Sequence, residues 1–400
     1  MKPFQSRFSL DFCFCYNPNS MRLPRETSRR GTSRRIRFVA LACAVALCGL
    51  AVAQKKKSKD EETQVLQVPK ELPGWVNGDT RRLTFHVVPL SNKGLLSPQI
   101  RDALKAMGRQ VGSDTVLKLR AFVAGSGDVR RVRDLVSEAF TERHQPLPAL
   151  SLVRCGGLPL EGAQVVMEVI AQSKKDVNPH GLAFLSGQPA TSPDPLDPVA
   201  PLVAQSLSSL RQEVKAAGAD AAGVLRVTCF LSSLDNLSAT RQLLESEYPR
   251  AAHNLVQTER APGRAVAACE AVARLQSEPG SRLSFPPVES LPPNPGQSPV
   301  ALVGAAQVVL TGAQISFGTQ EQDSRLAFER LKKELEKAGV SFQDVAFAHY
   351  YPLSGGLALQ LRKLRTEFLD PAHPPAGTMV LFEGLPSMDA GFAVDVVAVK

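Results

Sequence analysis

The chain is short of the residues that most often announce chemistry. Its 400 residues include one Trp, four Tyr and six His. The histidines (86, 144, 180, 253, 349 and 373) keep no zinc-ligand spacing with one another, with Cys or with acids. No Gly-rich phosphate loop, nucleophile elbow or dinucleotide fingerprint occurs. The sequence therefore predicts no metal and no cofactor.

A charge surplus is also lacking where it would matter. The net charge is +9, but residues 1–53 hold nine Lys or Arg against Asp11 and Glu26, so the remainder carries only +2. That is little attraction for phosphate, and basic residues are nowhere interleaved with aromatics, so nucleic acid is not an expected partner.

Long apolar runs are absent except for one. "FVALACAVALCGLAVA", Phe38 to Ala53, follows the basic cluster and ends in small residues. It is short for a membrane span and has the layout of a secretory signal cleaved near Ala53. The expectation is a secreted or periplasmic protein with no stable membrane insertion after cleavage. "KKKSKDEE", Lys55 to Glu62, reads as a solvated spacer, and residues 54–78 as a charged linker.

Cysteine gives little support for a disulfide framework. Four of the seven (Cys13, Cys15, Cys43, Cys48) fall in the leader. Cys155, Cys229 and Cys269 lie in apolar, strand-like runs, which favours buried free thiols and leaves one bridged pair open.

What the sequence does have is repetition. "VLKLRAFVAGSGDV" from Val116 and "VLRVTCFLSSLDNL" from Val224 match at a constant offset, and Val345 to Tyr351 is a third, worn version. Each is preceded by an amphipathic stripe and a glycine. The stripes are Ile100, Ala103, Leu104, Met107 with Gly112; Val203, Leu207, Leu210, Val214 with Gly218; and Phe328, Leu331, Leu335, Ala338 with Gly339. A second stripe follows in two copies: Val129, Val132, Val136, Phe140, and Leu357, Leu361, Leu364, Phe368. Each copy then ends in two β-rich runs around a Gly/Pro turn, expected to form a hairpin with Glu168, Glu270 or Asp395 near its end.

The predicted fold class is α+β: three tandem domains, each a mixed sheet with two helices on one face. Their bounds are 79–173, 174–276 and 277–400. In the second copy, Leu225, Val227, Cys229 and Leu231 form an apolar face suited to the helices. Arg226, Thr228 and Phe230 lie on a mixed face with Val224, and that face needs another partner.

"FLSGQ" from Phe184, "LRQEVKAAGADAAGVLRVTCFLSSLDNLSATRQLLESEYP" from Leu210 and "AAHNLVQ" from Ala251 resemble the RidA/YjgF family. These are the reactive-intermediate deaminases, also labelled endoribonuclease L-PSP, with a chorismate-mutase-like fold. "NPGQSPVALVGAAQVVLTGAQIS", from Asn294, resembles the opening strands of such a domain. The resemblance covers roughly residues 80–400 and is strongest in the second copy. It implies a homotrimer with ligand clefts between subunits, which three tandem copies would replace by a covalent pseudo-trimer and hence a monomer.

The resemblance also implies hydrolysis of enamines and imines, with an arginine holding the substrate carboxylate. The matching positions here are Leu150, His253 and Gly377, none of them arginine; the family's acid position matches Val166, Ala268 and Ala393. Glu168, Glu270 and Asp395 match a structural position. The expectation is a set of degenerate clefts that bind a small carboxylate-bearing ligand or mediate assembly without the usual catalysis. The alternative is a deaminase rebuilt around His253 as catalytic base, with Arg250 and Arg154 standing in for the missing fork.

Overall fold

The computed structural model describes residues 69–294 and 296–400. The leader and the Lys55–Glu62 run lie outside the described residues. None of the described helices is long and apolar enough to cross a membrane.

The chain opens with strand β1 (Trp75–Asp79), inside the segment that reads as a linker. The first repeat follows as β2 (Leu83–Val87), α1 (Leu96–Val111), β3 (Thr115–Val123), α2 (Arg130–Glu142), β4 (Ala149–Arg154) and β5 (Val165–Gln172). The second is β6 (Leu182–Ser192), α3 (Val199–Ala216), β7 (Val224–Leu231), α4 (Leu237–Glu247), β8 (Ala252–Gln257) and β9 (Ala265–Arg274). Two short strands, β10 (Leu283–Ser284) and β11 (Val300–Val303), come next. The third repeat is β12 (Gln307–Thr311), β13 (Gln314–Phe317), α5 (Glu321–Ala338), β14 (Val345–Pro352), α6 (Gly355–Leu364), β15 (Ala376–Met379) and β16 (Ala390–Val399).

The helices form where the stripes predict them, except that α6 ends at Leu364, short of Phe368. Every residue of the first stripe in each copy is buried. Gly112, Gly218 and Gly339 have φ of 61°, 67° and 79°, a backbone that stops a helix and that L side chains seldom adopt. Beneath the helices lie three separate apolar cores, one per repeat.

The closing runs do not form hairpins. In the first repeat β4 pairs parallel with β3, and β5 pairs antiparallel with the other edge of β3. The same holds for β7 between β8 and β9, and for β14 between β15 and β16. The reason is the intervening helix. A strand, crossover helix and parallel strand form one right-handed unit, so the next run must take the opposite edge of the central strand.

The lead segment of each repeat adds to a different repeat's sheet. β1 pairs antiparallel with β12 of the third repeat, Trp75 opposite Thr311. β11, which resembles the opening strand of the third copy, pairs instead with β6 of the second, Val300 opposite Leu185. Ahead of β6, Val177 and Asn178 donate their backbone N–H groups to Arg81 O of the first repeat, at 2.8 and 2.9 Å. Each lead segment thus binds the preceding repeat in cyclic order.

All three central strands bulge near their start, between Val116 and Lys118, Val224 and Arg226, and Val345 and Phe347. The extra residue exchanges faces locally. Val224 therefore joins the helix-covered core while Leu225 turns to the opposite side, the reverse of the simple alternation.

Cys229 and Cys269, directly opposed on β7 and β9, form a disulfide; Cys155 is free and buried, its thiol pushed up to about 12 by desolvation. The expectation of three free thiols is corrected for this pair, because antiparallel register brings together cysteines that lie far apart in sequence. Replacing both with Ala is expected to lower the unfolding free energy by about 2–4 kcal/mol. A urea midpoint equal to that of the parent protein would show that the pair is not bridged.

Candidate functional site

The mixed faces of the three central strands meet. Lys118, Arg120 and Phe122 on β3 match Arg226, Thr228 and Phe230 on β7 and Phe347, His349 and Tyr351 on β14, and all nine are buried. Each middle residue has an acid directly across the sheet: Arg120 opposite Glu168, Thr228 opposite Glu270, His349 opposite Asp395.

Together they make one ion cluster spanning all three repeats. Arg120 Nε donates to Glu168 at 2.7 Å and its Nη2 to Glu270 at 2.6 Å. Lys118 pairs with Asp395, and Arg226 Nη1 lies 3.3 Å from Glu168. His349 stands between Glu270 and Asp395, 3.1 Å from each, and Tyr351 donates to Asp395 at 2.8 Å. Asn254 donates to Glu168 at 2.8 Å, and Thr228 donates to it as well.

Burial alone would raise the three carboxyls. Arg120 beside Glu168 and Glu270, and Lys118 beside Asp395, outweigh it and hold all three below the usual carboxylate range. One end of the cluster is closed by an aromatic layer in which Phe122, Phe230 and Tyr351 gather on Phe382, with centroids 5.5–6.0 Å from its ring. The cavity beside the cluster measures about 20 Å³, room for a water-sized group and nothing larger. These titratable groups are paired with one another.

Larger openings lie between repeats, along the parallel edge strands. Leu150, His253 and Gly377 occupy one register there, opposite Leu119, Val227 and Ala348. Their surroundings have diverged completely.

At Leu150 the cleft runs between β4 and the β12–β13 segment of the third repeat, with a volume of about 920 Å³. Its floor is apolar (Leu150, Leu152, Ala313, Ile315) and its rim carries charges of both signs, including Arg130, Asp134, Glu334 and Lys337. Ala313 N–H donates to Leu150 O at 3.2 Å.

At Gly377 the cleft is closed. Gly377 N–H donates to Ser186 Oγ at 2.8 Å, Gly187 N–H to Thr378 Oγ1 at 3.1 Å, and Gln297 Nε2 to Gly377 O at 2.7 Å. A Cβ on Gly377 would lie 2.5 Å from Ala348 O, so this position excludes every side chain. The "SGQ" stretch serves this close backbone approach.

At His253 an open cleft of about 460 Å³ lies between β8 and α4 of the second repeat and the Phe85–Leu90 segment of the first. His253 is half-buried and its Nε2–H donates to Tyr248 O at 2.9 Å; desolvation holds the imidazole below its ordinary value. His86, from the weakest copy, lines the same cleft and is likewise lowered by burial. Gln110, Arg241, Glu245 and Asn254 complete its polar lining.

The other two candidates are elsewhere. Arg250 is exposed in the turn before β8 and does not line this cleft. Arg154, at the end of β4, donates to Gly125 O at 3.3 Å and Gly127 O at 2.9 Å and so braces a loop of its own repeat. Neither guanidinium is gathered with His253. His86 is not among the residues the sequence singles out for this cleft, and His349 and Tyr351, in the third copy of the repeated strand, belong to the ion cluster. Among the described residues, no group of three His, Cys, Asp or Glu is placed to hold a metal ion.

No protein-family model matches this chain, and no curated protein matches it. Among solved structures, it is similar to YyfB, a Rid-family protein of Yersinia pestis, at 16% identity over 30% of this chain and 100% of that one, with a TM-score of 0.29. A YjgF/YER057c/UK114-family protein of Mycobacterium tuberculosis is 17% identical over 23% of this chain and 79% of its own, with a TM-score of 0.22. A YjgF-family protein of Neisseria meningitidis is 13% identical over 30% and 94%, with a TM-score of 0.22. The likeness is one of fold and carries no activity with it.

Proposed function

We propose that this chain is a secreted or periplasmic RidA-like protein that binds a small ligand without the family's usual catalysis. Three fused repeats, bounded near residues 79–173, 174–276 and 277–400, stand in for three subunits, with β1 and β11 crossing those bounds. The observation that carries this reading is the common register of Leu150, His253 and Gly377. The position that should present a guanidinium fork presents instead an isobutyl group, a neutral imidazole and a closed backbone contact. Of these three positions, that of His253 places a polar side chain in an open cleft.

The ion cluster supports the pseudo-trimer. The first repeat supplies Lys118, Arg120 and Glu168, the second Arg226 and Glu270, and the third Asp395 with His349. One of each repeat brings three cations to three carboxylates. Three copies of the first alone would bury six cations with three acids, which buried groups do not tolerate. The Cys229–Cys269 bridge fits an oxidising compartment.

Purified protein is expected to elute as a monomer by size exclusion with light scattering and to leave a 2-imino acid unhydrolysed above the spontaneous rate. A homotrimer would overturn the architecture. Turnover as fast as that of a trimeric family member would overturn the loss of catalysis. The rival reading, a rebuilt deaminase, requires that His253→Ala abolish such turnover.

A further inference from the structure

The polar groups around the His253 cleft share a bias in what they leave unused. Tyr248 O is a carbonyl and can only accept, so His253 Nε2 carries the hydrogen, and in the neutral ring Nδ1 is left as a lone pair. His86 reaches the same state by a different route. Its Nε2 lies 3.0 Å from Thr84 Oγ1, whose own hydrogen goes to Ala171 O at 3.3 Å. The imidazole must therefore donate to that hydroxyl, and its Nδ1 is again an acceptor. Burial lowers both rings, so the neutral form prevails at pH 7.

The amides repeat the pattern. Gln110 Nε2 donates to Val87 O at 3.2 Å and Asn254 Nδ2 to Glu168 at 2.8 Å, each leaving its amide oxygen. Glu245 adds an exposed carboxylate. Arg241, the one cation in the lining, is exposed at the rim and turns Nη2 to Pro159 O at 3.0 Å. Arg241 and the second amide N–H groups remain as donors, but the free ring nitrogens of both imidazoles and the Glu245 carboxylate can only accept.

Granting that this cleft binds a ligand, we propose that it takes a small primary amine, whose N–H groups fill these acceptors while an apolar body covers Phe85, Leu244 and Leu255. A carboxylate there would meet two imidazole lone pairs and the Glu245 carboxylate, with Arg241 at the rim as the one cation in the lining to offset them.

The test is isothermal titration of the full chain at pH 7.5 with phenethylamine, 3-phenylpropionate and 2-phenylethanol. The amine is expected to bind about tenfold more tightly than the carboxylate, the scale of one or two charge-assisted hydrogen bonds. His86→Phe with His253→Phe is expected to remove that preference. A carboxylate that binds as tightly as the amine overturns the proposal and leaves the ligand-binding cleft standing. Failure of all three probes to bind overturns the cleft reading and the proposal with it. An amine preference that survives the double substitution places the binding elsewhere and also overturns it.

Discussion

Arg120→Met is expected to cost the protein about 3–5 kcal/mol of unfolding free energy, measured as a drop in the urea midpoint at pH 7. The guanidinium is 3% exposed and joins Glu168 of its own repeat to Glu270 of the next. A methionine fills much of the same volume, so the loss isolates charge from packing. Glu168 keeps Arg226, Asn254 and Thr228, but Glu270 keeps only His349 among its close polar partners. A loss below about 1 kcal/mol, the scale of an exposed ion pair, would show that Arg120 is not what neutralises the two acids.

The same cluster sets how the protein responds to acid. Glu168, Glu270 and Asp395 are all depressed in the folded state and regain ordinary values near 4 when the chain unfolds. A depressed folded value means that the stabilisation is present above the unfolded value and is lost as pH falls. Below about pH 4 the unfolded chain binds up to three protons that the folded one resists, so unfolding free energy is expected to fall by up to about 4 kcal/mol per pH unit. Urea midpoints at pH 5, 4 and 3 measure this slope. In Arg120→Met it is expected to flatten, because two of the carboxyls lose a cation that kept them ionised. A parent slope of one proton or less would mean that the acids titrate normally and that the cluster is not ionised as drawn.

How much of this was legible in the chain depends on the range of the interaction. The helices were, because a stripe such as Phe328, Leu331, Leu335, Ala338 and a following Gly339 are local facts. So was the register of Leu150, His253 and Gly377, which follows from matching the repeats. Strand partners were not. Nothing in the β4 and β5 sequences says that β3 comes between them, and nothing in Val300–Val303 says that its edge is β6. The bulge that exchanges Val224 and Leu225 leaves no mark on the pattern, and the Cys229–Cys269 bridge depends on pairing across β7 and β9. The site divides in the same way. His253 could be found by alignment of copies. His86 sits in the opening strand of the first repeat, whose sequence does not match the opening strands of the others, and the meaning of Lys118 and Arg120 depends on acids supplied by other repeats.

The exchanged lead segments bear on how the molecule is made. β1 leaves the ribosome among the first of the described residues, yet the strand it must pair with, β12, is among the later ones. At synthesis rates of about 5–20 residues per second, β1 waits tens of seconds with its pairing groups unmet. The helix-covered cores of the first two repeats can form meanwhile, since their strands are close in sequence. The ion cluster cannot close until the third repeat has been synthesised, and the charges of Lys118, Arg120 and Glu168 stay open to water until then. For this chain, the drying of its centre waits on the third repeat.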